Sequence, residues 1–483
     1  MNAANYIGGE FRSARSGATT PLINPATGAT IGSAPSSSAV DVDDAVTAAS
    51  AAVRSRSLVT PRERADMLLA MAEVVMAHRD EIANIDVLNA GKPRQFALLE
   101  VDWVIDDLRV AAGFARSEDG RNVGEYSRDH TSMIRREPLG VVAHIEPWNY
   151  PFLIAATKLS IALAAGNAVV LKPSELTPLS MVRLAELTRE IIPPGYFNVV
   201  CGYGDPVGSR LSSHPDVALL SLTGEPATAT KITRDSAPTL KRLHFELGGK
   251  APVLIFEDAD IVRAIEAVRL GGFWNAGQDC GAAARLLVAD AAFDTVVEGV
   301  TEAAKGLHVA DPSSSDEVEM GPLISAEHRD RVMGLVNRAV DDGARITTGG
   351  RVIEGPGFFV EPTVIVGADQ RSEIVQTEVF GPVVTIQSFG SDEQALTMAN
   401  DTPYGLASGV FTASHARAMA LSRDLKFGTV WINDYAAIAT EMPWGGVGMS
   451  GNGTAHSAMA LHEYSRIKHV MTHNPSSSGD PRG

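Results

Sequence analysis

Hydrophobic residues recur along the chain with two different spacings. Between residues 39 and 80, apolar positions return every three to four residues in Ala-rich runs, which is typical of amphipathic helices. From residue 134 onward, short apolar runs alternate with helical stretches, and five of them read "GVVAHIEPW", "NAVVLKPSE", "FNVVCGYG", "VALLSLTG" and "APVLIFEDA". Because continuously apolar strands need cover on both faces, this pattern predicts a parallel sheet between layers of helices.

A second series of strands and helices predicts a second α/β domain. Its strands read "RLLVAD", "TVIVGA", "VVTIQSFG" and "GTVWIND", and its helices read "FDTVVEGVTEAAKGL" and "EHRDRVMGLVNRAVDDG". Two segments with short alternating stretches, 125–138 and 463–473, fit neither series. We expect them to pair as an arm that meets another subunit. The tail 474–483 is predicted to be disordered.

Length and composition exclude several classes of protein. A chain of 483 residues is too long for one core, and no apolar run approaches the roughly 20 residues of a membrane span. The start lacks the pattern of a secretion signal, so a cytoplasmic location is expected. The formal net charge of −17 argues against non-specific nucleic-acid binding. Two cysteines are too few for a disulfide framework or a Cys-based metal site, and no metal site is predicted.

Cys280 is the candidate nucleophile. In "FWNAGQDCGAAAR" it precedes a small-residue stretch that predicts the start of a helix, whose dipole would favour the thiolate. Its polar neighbours argue against deep burial, although a structural cysteine is the ordinary alternative. Cys201 ends an apolar run and is expected in the core.

Glu246 is the candidate general base. It lies at an apolar strand end in "FELGGKAP", and the two glycines that follow would let backbone or a ligand approach closely. A surface glutamate at a turn is the alternative interpretation. A hydrolase in which a histidine activates the cysteine also stays open at this point.

Four loops follow the carboxyl ends of predicted strands, where α/β proteins usually bind ligands: "PWN", "KPSE", "GYGDPVG" and "TGEP". The stretch "SLTGEPATAT" resembles a strand end, a turn and a helix start, which is a common phosphate site. Glu225 within it would repel an anion. The segment therefore predicts a dinucleotide site with an unfavourable charge in it.

Seven motifs resemble, in register, those of the aldehyde dehydrogenase superfamily, which oxidises aldehydes with a nicotinamide dinucleotide. They are "PWNYP" (147–151), "KPSE" (172–175), "LTG" (222–224), "ELGGK" (246–250), "GQDC" (277–280), "EVFGPV" (378–383) and "PWGG" (443–446). The resemblance implies an α/β fold with a Rossmann-type dinucleotide-binding domain at 1–118 and 139–247, and a catalytic domain at 248–450. It further implies a small β oligomerisation arm and tail at 119–138 and 451–483, in a homodimer or homotetramer.

The resemblance also implies roles for individual residues. Cys280 would attack the aldehyde carbon, Asn149 would hold the oxyanion, and Glu246 would activate water to hydrolyse the thioester. Glu378 would bind the nicotinamide ribose, with Phe380 packed beside that ring. The other residues expected to contact the cofactor are Pro147, Trp148, Asn149, Lys172, Ser174, Glu175, Gly202, Thr223, Gly224, Glu225 and Leu247.

The residues expected near the adenosine end favour NAD over NADP. Lys172 and Glu175 resemble the pair that meets the adenosine ribose, and a carboxylate there would repel a 2′-phosphate. Family members usually have Gly-Ser where this chain has Gly224 and Glu225, and a second Gly where it has Ala229. These differences predict weaker cofactor binding without harm to the helix, because Pro226 suits a first helical position.

The resemblance is closest to aminobutyraldehyde and betaine aldehyde dehydrogenases, through "HTSMIRREPLGVVAHIEPWNYP" and "NAGQDC". Such substrates carry a cation, which acidic and aromatic groups attract. The residues expected to meet the substrate are Asp279, Tyr150, Trp103, Asp106 and Trp444. A solvated helix face is the alternative for "EVDWVIDDLR". At the level of function, the alternatives are a catalytically silent dinucleotide-binding or structural protein and a Cys-dependent esterase.

Overall fold

Two seven-stranded sheets, each covered by helices, form the frame of the molecule. The computed structural model describes residues 1–55, 60–117 and 123–474. The chain begins with β1 (Asn5–Ile7), β2 (Glu10–Arg12), β3 (Thr19–Ile23), β4 (Thr30–Pro35), α1 (Ala39–Ser55), α2 (Pro61–Ala77), α3 (Arg79–Ala90) and α4 (Arg94–Arg116). It continues with β5 (Val123–Ser127), β6 (His130–Pro138), β7 (Val141–Ile145), α5 (Leu153–Ala164), β8 (Ala168–Lys172), α6 (Leu179–Leu187), β9 (Phe197–Val199), α7 (Ser209–Ser213), β10 (Val217–Gly224), α8 (Pro226–Ser236) and β11 (Arg242–Leu247).

The second half of the chain contains β12 (Ala251–Ile255), α9 (Ile261–Phe273), β13 (Ala283–Ala289), α10 (Phe293–Lys305), α11 (Ala326–Asp341), β14 (Arg345–Thr348), β15 (Thr363–Val366), α12 (Glu373–Gln376), β16 (Val383–Phe389), α13 (Asp392–Asn400), β17 (Ala407–Phe411), α14 (His415–Asp424), β18 (Thr429–Ile432), α15 (Ser457–Glu463) and β19 (Ser465–His473). The α/β fold with a Rossmann-type part and a second α/β part is therefore confirmed.

The first sheet has the strand order β11-β10-β7-β8-β9-β1-β2. Its first five strands are parallel, and β1 and β2 add an antiparallel edge. The chain runs outward from β7 through β8 to β9, and then returns to the other side of β7 with β10. Ligands bind at the carboxyl ends of strands where the order reverses in this way, so the gap beyond β7 and β10 is the expected crevice.

The second sheet has the strand order β14-β15-β16-β13-β12-β17-β18. All strands from β15 to β18 are parallel, and β14 is an antiparallel edge. The sequence pattern did not predict β17, because "ASGVF" is rich in small residues. Its position between β12 and β18 buries it fully.

Residues 248–250 join the last strand of the first sheet directly to β12 of the second. This link has no room for side chains at its two glycines. A Cβ at Gly248 would lie 2.0 Å from the Glu378 carboxylate, and one at Gly249 would lie 2.3 Å from the Cys280 carbonyl oxygen. The carboxyl ends of the strands of the first sheet therefore face the loops that precede β13 and β16 of the second sheet.

The helix expected after Cys280 is wrong. The residues that follow it form β13, which is hydrogen-bonded between β12 and β16. Alanine favours helices, but a run of three is too short to outweigh pairing with two strands. Arg285 in this strand turns away from Cys280 and donates to the carbonyls of Lys250, Met398 and Ala399 at 2.8–3.0 Å.

The predicted arm is confirmed as a three-stranded sheet of β19, β6 and β5. Ser465–His473 pairs residue by residue with His130–Pro138. The predicted domain boundaries assign α15 to the arm as well, whereas Ala460 and Leu461 of that helix pack in the core of the first sheet. The boundaries themselves stay a prediction. Residues 475–483 of the tail, for which disorder is predicted, lie outside the described residues.

The helices expected between residues 39 and 80 are confirmed as α1 and α2. The start of α2 is fixed by a capping box, in which Thr60 Oγ1 accepts from the Glu63 N–H at 3.2 Å and the Glu63 carboxylate accepts from the Thr60 N–H at 2.8 Å. Within the described ranges, no helix is both long and apolar enough to cross a membrane.

Candidate active site

Two cavities meet at the junction of the two sheets. The first encloses about 300 Å³ and the second about 330 Å³. Three residues line both of them: Thr223 and Glu246, near the carboxyl ends of β10 and β11, and Cys280, in the loop before β13. The predicted nucleophile and the predicted base therefore lie where a ligand of one cavity would meet a ligand of the other.

The loop that carries Cys280 has a strained backbone. Asn275 and Ala276 have φ angles of 49° and 56°, in the left-handed region that costs a residue other than Gly about 1–3 kcal/mol. Gly277 continues this conformation with a φ of 66°, and a Cβ there would lie 2.1 Å from the Gly381 carbonyl oxygen. Such strain persists only where the surrounding structure imposes it, and here it fixes the approach of the chain to Cys280.

Asn149 lies against the same loop. Its side-chain amide donates to the Gln278 carbonyl at 3.0 Å, and its own carbonyl accepts from the Asn275 side chain at 2.9 Å. Gln278 is buried and donates to the Asn275 carbonyl at 3.0 Å. An amide nitrogen has two N–H groups, and this arrangement uses one of them. The other would be the donor for a ligand oxygen.

The surroundings of Cys280 favour a neutral thiol rather than the thiolate expected from a helix dipole. Burial raises the pKa of the Cys280 thiol well above its ordinary value, and the carboxylates of Asp279, Glu378 and Glu246 raise it further. Since the thiolate is the reactive form, the site needs a base or a nearby positive charge before Cys280 can react.

Glu246 has a free oxygen with which to take a proton. Its side chain is buried, and among the described residues its Oε1 atom has no hydrogen-bond partner. His244 Nε2 lies 3.8 Å from that oxygen, and burial lowers the pKa of His244. A buried carboxylate oxygen on a cavity wall is suited to bind water and accept its proton.

A buried cation that the sequence analysis missed lies near Glu246. Lys158 lines the first cavity, and its Nζ donates to Thr223, the neighbour of Glu246 across the sheet, at 2.5 Å. The same Nζ lies 3.5 Å from Glu146, whose pKa burial raises to about 7. The signal was a single charged residue within the apolar helix sequence "LIAATKLSIALA", because a buried lysine usually has a specific partner.

Most of the predicted cofactor residues come together around the second cavity. Trp148 meets Phe380 edge-on, with ring centroids 5.2 Å apart. Glu378 accepts from the Gly249 N–H at 2.8 Å, and burial raises the pKa of this carboxyl group to about 7. The predicted residues that line this cavity are Pro147, Trp148, Asn149, Thr223, Gly224, Glu225, Leu247, Glu378 and Phe380.

Helix α11 holds the loop that carries Glu378 and Phe380. Arg331 donates to the carbonyls of Glu378 and Val379 at 3.0 and 2.7 Å. His328, in the tautomer protonated at Nε2, donates to the Phe380 carbonyl at 2.7 Å, and burial lowers the pKa of its ring to about 4. These three bonds restrain Phe380, whose φ is 58°. A His and an Arg one turn apart on the predicted helix were the signal that sequence reasoning overlooked.

Four predicted cofactor residues lie farther along the first sheet. Within the described part of the chain, Lys172, Ser174 and Glu175, around the end of β8, and Gly202, after β9, are not part of the second cavity. Lys172 Nζ lies 3.3 Å from the Glu175 carboxylate, so the expected pair is formed. Leu176 follows this pair and does line the cavity, so the pair lies next to its edge.

Glu225 lies at the start of α8 on the wall of the second cavity. Its backbone is extended and its carbonyl accepts from the Ala229 N–H at 3.1 Å, but its side chain makes no capping bond. Its charge contributes to the raised pKa of Glu378, so the two carboxylates act on the same space. Pro226 occupies the first turn of the helix, as expected.

Aromatic rings form much of the wall of the first cavity. Trp274 stacks on Phe96 with ring centroids 3.8 Å apart, and Trp431 lies 4.6 Å from Tyr435. Of the five tryptophans in the chain, Trp148 lines the second cavity, and the first is lined by Trp103, Trp274, Trp431 and Trp444. Because ring faces attract cations, this wall suits an organic cation.

The two acidic residues expected to meet the substrate differ in position. Asp279 lines the first cavity and accepts from the Tyr150 hydroxyl at 2.6 Å, and Tyr150 lines the cavity too. Asp106 is exposed, accepts from Thr440 at 3.3 Å, and lies outside both cavities in the described chain. Helix α4 turns Asp106 toward solvent and buries its neighbour Asp107 instead, so contact of Asp106 with the substrate stays a prediction.

Known proteins of one family are similar to the chain over nearly its whole length. The model of the aldehyde dehydrogenase family matches residues 11–470. The betaine aldehyde dehydrogenase of Bacillus subtilis (strain 168) is 38% identical over 477 residues, which cover 97% of each chain. The peroxisomal aminoaldehyde dehydrogenase 1 of Pisum sativum is 37% identical and covers 99% of this chain and 96% of its own.

Solved structures give the same result. The betaine aldehyde dehydrogenase of Staphylococcus aureus in complex with NAD+ superposes with a TM-score of 0.96 at 36% identity, covering 100% of this chain and 97% of that one. The NAD+ complex of the aldehyde dehydrogenase of Bacillus cereus has a TM-score of 0.96 at 36% identity, covering 98% and 97%.

Replacing Arg331 tests whether α11 holds the cofactor loop. Arg331→Met is expected to raise the dissociation constant for NAD about tenfold or more, because hydrogen bonds from a charged donor typically contribute about 1.5–3 kcal/mol. Quenching of tryptophan fluorescence during titration with NAD is the measurement. Arg329→Met is the matched control, because Arg329 bonds the exposed Asp330. An unchanged constant in Arg331→Met would contradict the restraint.

Replacing Glu225 tests whether its charge opposes the cofactor. Glu225→Ser is expected to lower the dissociation constant for NAD several-fold, because it removes a negative charge and supplies a preferred helix-capping side chain. Glu225→Gln separates the two causes, since it removes the charge and keeps the size. A constant that stays equal or rises in both variants would show that Glu225 points away from the phosphates.

Proposed function

The chain belongs to the aldehyde dehydrogenase family, and we propose that it oxidises an aldehyde whose far end carries a positive charge, such as an aminoaldehyde or betaine aldehyde. As a member of this family it is an oxidoreductase that converts an aldehyde to the carboxylate with NAD. The proposal concerns the charge of the substrate and the roles of individual residues.

The observation that carries the residue roles is the shared wall of the two cavities. Cys280 and Glu246 border both, so an aldehyde in the first and a nicotinamide ring in the second would each reach the same thiol. The second cavity fits a dinucleotide, because Glu378 offers a carboxylate to ribose hydroxyls and Gly248 leaves room beside it. When bound there, NAD supplies the acceptor for the hydride that leaves the aldehyde carbon.

The first half of the reaction forms a bond between Cys280 and the aldehyde. The neutral thiol gives its proton to Glu246, whose Oε1 is free, and the sulfur then adds to the carbonyl carbon. The carbonyl oxygen becomes an oxyanion that the second N–H of Asn149 and the backbone N–H of Cys280 would bind. One such donor typically contributes about 3 to 4 kcal/mol to catalysis. Loss of the hydride converts this thiohemiacetal into a thioester.

The second half hydrolyses the thioester. Glu246 first releases to solvent the proton that it took from Cys280. A water molecule then gives its proton to Glu246 as its oxygen adds to the thioester carbon. The C–S bond breaks, the Cys280 sulfur takes that proton back from Glu246, and the product acid loses its remaining proton to solvent and leaves as the carboxylate. Lys158, bound to Thr223, places a positive charge near Glu246.

Charge and aromatic content support a cationic substrate. The first cavity is lined by four tryptophans and by the carboxylates of Asp279 and Glu246; Lys158 lines it too, but its charge is paired with Glu146 at 3.5 Å. A cation over an aromatic face gains about 0.5–2 kcal/mol, more as it loses water. Arg285, which could have bound a substrate carboxylate, is buried and turned to backbone carbonyls. The two curated relatives are a betaine aldehyde and an aminoaldehyde dehydrogenase.

The arm supports assembly as a homodimer or homotetramer. Its sheet presents exposed apolar side chains, and these are Val123, Tyr126, Ile134, Ile467 and Met471. Exposed apolar strands at a sheet edge are usually covered by another chain. The number of subunits and a cytoplasmic location stay predictions.

The substrate class is tested with a matched pair of aldehydes. Betaine aldehyde and 3,3-dimethylbutanal have the same shape, but only the first is charged. We expect kcat/KM for betaine aldehyde to exceed that for the neutral isostere by about tenfold or more, from cation–π and carboxylate contacts. Formation of NADH is the measurement, and 4-aminobutanal is the second cationic substrate. Preference for the neutral aldehyde would contradict the proposed substrate.

The roles of Glu246 and Cys280 are tested by the first turnover. Glu246→Gln with excess neutral aldehyde is expected to form NADH about 10²–10⁴-fold more slowly, in the first turnover as well as in later ones, because both the activation of Cys280 and the hydrolysis of the thioester lack their base. Cys280→Ala should give no NADH while still binding NAD. Cys201→Ala is the control, because burial raises the pKa of that thiol to about 12 and Cys201 lies in the core. Ester turnover without any NADH formation in the unaltered enzyme would favour the esterase alternative.

A further inference from the structure

His456 lies on the wall of the first cavity, at the start of α15. Its φ is 59°, an uncommon conformation for a residue with a side chain. The side chain is largely buried, and its Nδ1 atom lies 3.3 Å from Oδ1 of Asp107. This uncommon backbone conformation places the imidazole between Asp107 and the cavity.

Asp107 is a buried carboxylate behind that ring. It is 2% exposed, and its Oδ2 accepts a hydrogen bond from the Thr157 hydroxyl. His456 is its charged partner. A buried carboxylate is costly unless it is paired. Burial disfavours the charged form of His456, but the Asp107 carboxylate 3.3 Å away outweighs burial and raises the pKa of the imidazole above its ordinary value.

Other titratable groups also face the ring, and they come from three elements. Glu246 favours the charged form of His456, and Lys158 lies on the same cavity wall. On the other side, His244 and Tyr464 border a small space next to the ring; burial lowers the pKa of His244 and raises that of Tyr464. Neither of these two supplies a charge near neutral pH, so Asp107 dominates the behaviour of His456.

We infer that His456 and Asp107 form a charge-controlled subsite, at which a substrate with a positively charged end gains affinity when the imidazole has lost its proton. The inference rests on the proposed function, because it concerns aldehydes with a cationic end. With the ring protonated, the pair has no net charge, and the imidazolium faces the cavity. With the ring neutral, the charge of Asp107 is uncompensated and attracts a cation in the cavity from behind the imidazole.

The test compares betaine aldehyde with 3,3-dimethylbutanal across pH at saturating NAD. The trimethylammonium group does not titrate, and pH effects on Cys280 and Glu246 act on the chemistry of both aldehydes. The ratio of the two kcat/KM values therefore reports the charge around the cationic end, and the His456→Gln variant separates the subsite from Glu246, whose carboxylate lines the same cavity. We expect this ratio to rise about five- to tenfold from about pH 6 to about pH 9, for one charge removed several ångströms away.

Three variants separate this subsite from other sources of pH dependence. His456→Gln should keep the ratio high and nearly constant over the range, because Asp107 then has no cationic partner. Asp107→Asn should keep it low and nearly constant. Asp102→Asn is the control, since this exposed carboxylate on the same helix pairs with Arg79, and its pH profile should match that of the unaltered enzyme. Binding of NAD by each variant verifies that it is folded.

Two results would overturn the inference: a ratio that does not change with pH in the unaltered enzyme, or a rise that persists in His456→Gln. The size of the ratio tests a different point. If the neutral aldehyde is preferred at every pH, the proposed substrate class fails. The change of the kcat/KM ratio with pH, and the loss of that change in His456→Gln, still decide whether the His456–Asp107 pair controls the charge in the cavity.

Discussion

The short link between the two sheets is the constraint on which the active site depends. Three residues separate Glu246 and Leu247 of the first sheet from β12 of the second, and two of them are glycines that no side chain could replace without meeting Glu378 or the Cys280 backbone. A longer or bulkier link would separate the edges of the sheets. The base, the nucleophile and the carboxylate of the cofactor loop therefore meet because the backbone there has no bulk.

This closeness has an electrostatic consequence. Three carboxylates surround the Cys280 thiol, and together with burial they keep it protonated. The site is therefore inert toward electrophiles until a proton can move to Glu246 or a positive charge enters a cavity. A cationic substrate and the positively charged nicotinamide ring of NAD both supply such a charge. The same negative potential that disfavours the thiolate of Cys280 thus favours binding of the two positively charged ligands with which Cys280 has to react.

The sequence predicted the parts of the site that depend on local pattern. Apolar runs indicated the strands, and motifs at their ends indicated Cys280, Glu246 and Glu378. The helix expected after Cys280 does not form, because the helical preference of a short run of three alanines is smaller than the stabilisation from pairing with two neighbouring strands. Neighbouring residues on a helix point in different directions, so Asp107 is buried while Asp106 is exposed. Composition cannot show which of the two adjacent aspartates points inward. The importance of Lys158 and His456 depends on the carboxylates that they contact, Glu146 and Asp107. These partners are distant in sequence, so no pattern in a single sequence shows the pairing.

The residues proposed to bind the cofactor lie on both sides of the second cavity, at the start of α8 and in the loop held by α11. At the start of α8, Glu225 brings a negative charge and Pro226 has no N–H, so this helix offers less to phosphates than a Gly- and Ser-rich start would. On the opposite wall, α11 restrains the loop of Glu378 and Phe380 with three hydrogen bonds. A loop held in its binding conformation loses little freedom when a ligand arrives, which favours affinity. With the proposed residue roles, orientation of the nicotinamide end would depend more on the second sheet, and the repulsion from Glu225 would act on the phosphates rather than on the atoms that react.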